Sequence, residues 1–208
     1  MAEANTNSRL EAFSDGVFAI AMTLLIIDVK LPSAASFAST AELWRVLQHL
    51  TPSFFAFALS FGIILITWVN HHATLELINR STASFIYANG FLLLTVVFIP
   101  FPTGLLGAFL LTDHAAPAVV LYNATLAAQA IGWILLTSAA LNDQLTMDDR
   151  STSTMRESKK NGYFAFALYS IFSITALWLP MAVAVAATLS WIFWLTLGIR
   201  WTNSVRHR

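Results

Sequence analysis

The chain has 208 residues, 57% hydrophobic and only 11% charged, with a formal net charge of zero and no cysteine. A soluble domain carries about a quarter charged residues, so with a mean hydropathy of +0.68 this composition cannot coat a water-soluble globule and describes an integral membrane protein. Zero net charge excludes a basic field that recruits nucleic acid, and the absence of cysteine excludes disulfides, thiol catalysis and thiolate metal sites.

Six apolar segments predict an all-α bundle of six transmembrane helices in one domain spanning 1–208. The first, about 13–31, lies within "RLEAFSDGVFAIAMTLLIIDVK" and ends at Pro32 and a Ser/Ala-rich loop. Twelve residues separate Asp15 from Asp28, which is roughly 20 Å of helix against a hydrocarbon core of about 30 Å. The segment is a poor signal peptide, because Glu3, Glu11 and Asp15 surround the lone Arg9. The run "SAASFAS" after it nevertheless imitates a cleavage site. Ser14 or Asp15 suits an N-cap. In a helix starting before Arg9, six positions put Arg9 about 120° from Asp15 around the axis. Each charge then needs a partner on another helix or another subunit. Gly16, Ile20, Thr23 and Ile27 share one arc, with Leu24 at its edge, and periodicity alone leaves a plain packing face open.

The second segment, about 43–69, has Trp44 and Trp68 near its ends, at headgroup level. It runs into "WVNHHATLE", where His71 and His72 point about 100° apart rather than forming an i, i+4 metal pair. A polar cap and an inward histidine holding a buried acid or arginine both remain open. The third segment, about 84–100, meets "IPFPTG", where Pro100, Pro102 and Gly104 should kink or stop it. The fourth is about 115–141. The block "NDQLTMDDRSTSTMRESKKNG" follows as the one clear extramembrane loop. The fifth, about 163–179, and the sixth, about 181–201, meet at a turn near Pro180. The sequons at Asn79 and Asn123 read as chance matches, since one falls on the cytoplasmic side and the other in a span.

Basic residues orient the chain. With six spans, Arg9, Arg80, Arg150, Arg156, Lys159, Lys160, Arg200, Arg206 and Arg208 share one side, and only Lys30 and Arg45 lie on the other. Nine against two puts both termini in the cytoplasm. No Walker loop, GxSxG, HExxH, CxxC or TVGYG filter is present, so neither an enzyme nor a filter-type potassium channel is expected.

"RLEAFSDGVFAIAMTLL" resembles the RxxxFSD signature of the transmembrane protein 175 family, the potassium-permeable channels of prokaryotes and endolysosomes, with Arg9, Phe13, Ser14 and Asp15 on the motif. The resemblance is strong over about 9–31 and otherwise rests on length, hydropathy and the histidines after the second helix. It implies a prokaryotic, one-repeat homotetramer in the inner (plasma) membrane, without a re-entrant pore loop. First helices from four subunits would line the pore, with Ile20, Leu24 and Ile27 as the constriction and the Thr23 hydroxyl between them. Arg9 and Asp15 would join a polar network with Trp68, Asn70 and His71 or His72. The implied function is a potassium-selective or potassium-preferring cation channel, with no cofactor beyond the permeating potassium ion. Its partners are the lipid bilayer, monovalent cations and its own copies. Two rivals stand beside it: a proton-coupled transporter or proton channel using Asp15, Asp28 and the histidines, and a non-conducting structural membrane protein. Asp28 either concentrates cations or pairs with Lys30 or Arg45.

Overall fold

A computed structural model of the protein describes residues 7–30 and 39–206, with side chains described at those positions except 28 and 197–206. Pro32, the loop after it and Arg208 therefore lie outside the described residues, as do the side chains of Asp28, Arg200 and Arg206. The described chain is helical apart from its turns and one isolated bridge between Ile78 and Thr146.

Helix α1 (Ser8–Leu24) starts five residues before the expected span, so Arg9 is helical, and it continues into a 3-10 turn, Leu25–Asp28. The expected second span divides. A short α2 (Thr40–His49) is capped by Ser39, whose Oγ accepts from the Glu42 amide at 3.3 Å. A separate α3 (Thr51–Leu75) follows. Pro52 causes the division, because its ring obstructs the carbonyl four residues back and it has no N–H to donate. Beyond the expected end at Val69, α3 runs on to Leu75, which makes both adjacent histidines helical.

Helix α4 (Ala83–Phe98) meets Pro100, and α5 (Pro100–Phe109) restarts at once. The prolines kink the third span rather than stop it, and 83–109 forms one apolar passage of 27 residues. Helix α6 (Ala115–Asn142) is the central element and packs against α4, α5, α7 and α8.

The polar block expected to be a loop is mostly helix. Only 143–148 is non-helical; α7 (Asp149–Thr175) then takes up the charged stretch, with the Asp148 carboxylate accepting from the Ser151 amide at 2.6 Å. Between Asp148 and Gly162 no proline or glycine interrupts the run, and Lys160 pairs with Glu157 one turn away at 2.7 Å. Polarity there reported exposure, not absence of structure. Helix α8 (Pro180–Arg206) begins at Pro180 after a short turn, as expected.

Four stretches, 8–27, 51–75, 83–109 and 115–142, are long and apolar enough to cross a membrane, and α8 contributes a shorter apolar run, Pro180–Thr196. The chain is thus an all-helical, multi-pass membrane protein.

Three apolar clusters hold the bundle. One packs Phe18, Ala21 and Leu25 of the first helix against Ile64 of α3 and Leu93 and Val96 of α4. A second joins the 75–78 and 145–155 segments to Leu92 and Leu136, and the third fills the space between α3, α5, α6, α7 and α8. Inside this last region Ser60 bonds to Thr103 at 2.7 Å and to Tyr122 at 2.9 Å, so these buried hydroxyls satisfy one another across three helices.

Candidate functional site

The first helix has two faces of opposite character. Ser14, Phe18, Ala21 and Leu25 are buried against α3 and α4. Arg9, Phe13, Gly16, Ile20, Thr23 and Ile27 are exposed in the subunit. They follow one another at alternating steps of four and three, which keeps them within an arc of about 80°. Phe13 is 62% exposed, Ile20 59% and Ile27 66%, while Leu24, at the edge of the arc, is 37% exposed. Among the described residues nothing covers this apolar face. The Thr23 hydroxyl donates back to the Ile20 carbonyl at 2.8 Å, so its oxygen remains on the exposed side.

The buried face is tied down by polar bonds at the charged end. Ser14 Oγ donates to the Leu10 carbonyl at 2.8 Å and accepts from Asn89 Nδ2 at 3.1 Å. Asn89 Oδ1 lies 2.6 Å from His71 Nε2. With the amide nitrogen committed to Ser14, the amide oxygen is the acceptor and His71 Nε2 carries the proton. Ser14, His71 and Asn89 are all at most 1% exposed, and Phe18 covers the imidazole at a centroid distance of 5.3 Å. The Ser14–Asn89–His71 chain thus couples α1, α4 and α3 at one level.

A second set of contacts lies nearer the surface. Trp68 Nε1 donates to Asp15 Oδ1 at 2.8 Å, and the Trp68 indole stacks on His72 at 6.2 Å. His72 Nδ1 is 3.0 Å from Glu11 Oε1, and its Nε2 is 3.6 Å from Glu76 Oε1. The Nδ1 approach does not have hydrogen-bond geometry. The two adjacent histidines therefore do different things: His71 is a buried link between helices, and His72 sits between two carboxylates.

Of the residues singled out in the sequence, Ser14, Asp15, Trp68, His71 and His72 come together. Arg9 is exposed on the apolar arc, and no ion pair to it forms among the described residues. Asn70 points elsewhere, lining a cleft beside α6 and α7, and its Oδ1 has no hydrogen-bond partner among the described residues. Three participants were not anticipated: Asn89, Glu11 and Glu76. Asn89 had a readable signal, being a lone amide inside the apolar run "FIYANGFLLL". The side chain of Asp28 lies outside the described residues.

Residues 9–100 match the family described as "Endosomal/lysosomal potassium channel TMEM175". A protein of Chamaesiphon minutus named a potassium channel is 38% identical over 185 residues, covering 87% of this chain and 91% of its own length. Another so named, from Streptomyces collinus, is 41% identical over 145 residues, covering 67% and 69%. The crystal structure of a lysosomal potassium-selective channel TMEM175 homolog from Chamaesiphon minutus superposes with a TM-score of 0.79 at 35% identity, covering 92% of this chain and 97% of that one.

Proposed function

The chain belongs to the TMEM175 family, and we propose that it is a potassium-preferring cation channel whose conduction path is formed by α1 from four copies of the subunit. The observation that carries this reading is the uncovered apolar stripe of α1, backed on its other side by a buried polar tether. A helix that only faced lipid would not need Arg9 on the same arc as Ile20 and Ile27. Around a four-fold axis that arc faces its symmetry mates, and Arg9 meets partners from neighbouring subunits, as an intramembrane charge requires.

Rings of Ile20, Leu24 and Ile27 then form the constriction, with Thr23 oxygens between them. Such a ring closes by dewetting and, when wider, passes a partly hydrated cation. The tether supplies rigidity: Ser14, Asn89 and His71 fix the azimuth of α1, and with it the direction in which the isoleucines point. Six spans with cytoplasmic termini follow from the distribution of lysine and arginine, in the inner membrane of a prokaryote. Asp15 and Asp28, near the two ends of the path, raise the local cation concentration. Transport is passive and needs no cofactor.

Cation flux from liposomes holding purified protein tests the proposal. Potassium, rubidium, sodium, caesium and proton gradients are applied to wild type and Ile20→Asn. Potassium-preferring flux that the substitution alters supports it. Wild-type vesicles tight under every gradient would refute it, and flux of protons alone would favour a proton pathway through Asp15 and the histidines.

A further inference from the structure

Helices α3, α6, α7 and α8 enclose a partly open cleft of about 460 Å³, well within the size of sites that hold organic molecules. It lies along a different face of α3 from the one that carries Trp68 and His71 toward α1. Along α7 its lining runs from Glu157 to Tyr169. Twelve positions at 1.5 Å make it roughly 18 Å long. One leaflet's share of a hydrocarbon core of about 30 Å is comparable.

Polarity changes along that length. Glu157, Ser158, Asn161 and Asn70 line the end nearest the start of α7. Gln129 donates to Thr67 at 3.4 Å on the middle wall, and Ile63, Leu126 and Trp191 close the far end. The polar end coincides with the charged half of α7, which belongs at the membrane surface. Glu157 at this mouth is mostly exposed, and its Oε1 pairs at 2.7 Å with Lys160 Nζ, which lies outside the cleft lining. Asn70 Oδ1, on the same end, lacks a partner among the described residues. A cleft that is polar at the interface, mostly apolar at depth apart from the Tyr169 hydroxyl and the Trp191 and Trp194 indole N–H groups, and one leaflet long fits an amphiphile better than a compact solute.

We propose that this cleft is a phospholipid site. One acyl chain lies along the wall formed by Ile66, Ala130 and Ala165, and a phosphate–ammonium headgroup sits at the mouth. Glu157 faces the ammonium, and the Ser158 hydroxyl and the Asn161 amide donate to the phosphate. The inference rests on the chain spanning a membrane, not on its conducting ions.

The test uses full-length protein in liposomes containing phosphatidylethanolamine with a diazirine in one acyl chain. After photolysis, adducts are mapped to single residues by mass spectrometry. The expected result is labelling at Ile66, Leu126 and Ala130 in addition to the outward-facing Ile171 and Ile174. Ala130→Phe and the milder Ala165→Leu fill the cleft, and should abolish its labelling while Ile171 and Ile174 still label. If Ala130→Phe does not fold, Ala165→Leu decides alone. Labelling confined to Ile171 and Ile174 in wild type overturns the proposal, as does cleft labelling that the folded filling variants leave unchanged.

Discussion

Asn89 bridges His71 and Ser14, with its amide oxygen 2.6 Å from the imidazole and its amide nitrogen 3.1 Å from the hydroxyl. Asn89 is the one amide in α4, and an amide carries its acceptor and its donor on two separate atoms, so it reaches one partner with each. Asn89→Leu removes both bonds; Ser14 keeps its bond to the Leu10 carbonyl, but the buried His71 Nε2 loses its partner, at a cost of about 1–3 kcal/mol. His72→Ala removes contacts that are roughly one-third exposed, where solvent screening leaves well under about 1 kcal/mol. Thermal unfolding in detergent should rank Asn89→Leu far below His72→Ala. Equal shifts would show that the buried chain does not hold α1.

The two faces of α1 should respond oppositely to substitution. Phe18 is fully buried, and Phe18→Ala should cost about 3–5 kcal/mol through lost contacts and a cavity. Ile27→Asn lies on the exposed arc and should barely change the unfolding temperature of dissociated subunits. Its effect belongs in flux, where a polar ring no longer dewets. Measuring unfolding and liposome flux on both variants separates scaffold from path. A large loss of subunit stability in Ile27→Asn would mean that its side chain packs within the subunit.

Much of this arrangement was readable in the residues, and what was not has identifiable causes. The apolar arc and the need for partners around Asp15 followed from spacing alone. The difference between His71 and His72 did not, because a hundred-degree step tells that two neighbours diverge but not which meets a partner. Asn89 was visible as a lone amide, yet what it bridges depends on how α4 packs on α1. Pro52 was hidden by hydropathy, which averages across a break, and α7 by its charge, since a helix leaving the membrane looks like a loop to the same average.

Gln144 has a φ of 52°, a left-handed conformation that suits glycine. It closes α6 in a Schellman turn: the Leu145 amide reaches the Ala140 carbonyl at 2.9 Å, and the Gln144 amide that of Leu141 at 3.3 Å. Its side chain is exposed, so Gln144→Gly should remove strain without removing a contact. The expected gain is about 1 kcal/mol, read as a higher unfolding temperature. A drop in that temperature would mean that Gln144 makes a contact worth more than its strain.

Gly132 sets how closely α6 approaches α4, since a Cβ there would lie 3.0 Å from Leu92 Cα, a backbone atom that cannot step aside. Gly132→Ala should therefore push the helices apart and cost about 1–3 kcal/mol, despite the better helix propensity of alanine. Gly90, on α4 itself, has nothing within 4 Å of an added Cβ, so Gly90→Ala should be neutral or stabilising by up to about 1 kcal/mol. The pair is measured by thermal unfolding under one condition, and opposite signs are expected. Matching signs would mean that helix propensity, not the approach of α4 to α6, governs both positions.

Asp148 caps α7 through the Ser151 amide, and this backbone bond, ahead of the other contributions, holds its carboxyl below the ordinary carboxylate range. A lowered folded-state pKa means that stabilisation is present in full above the ordinary value near 3.8 and fades as pH falls through the lower, folded one. Protonation then weakens the first turn of α7, just ahead of Met155, which anchors this half of the helix in the core. Asp148→Ala should lower the unfolding temperature at neutral pH, and the gap to wild type should narrow below about pH 4. Asp148→Ser, which keeps an acceptor but no titrating group, should retain part of the stability and flatten that dependence. A gap between wild type and Asp148→Ala that stays constant down to strongly acidic pH would mean that the carboxylate charge contributes nothing to the cap.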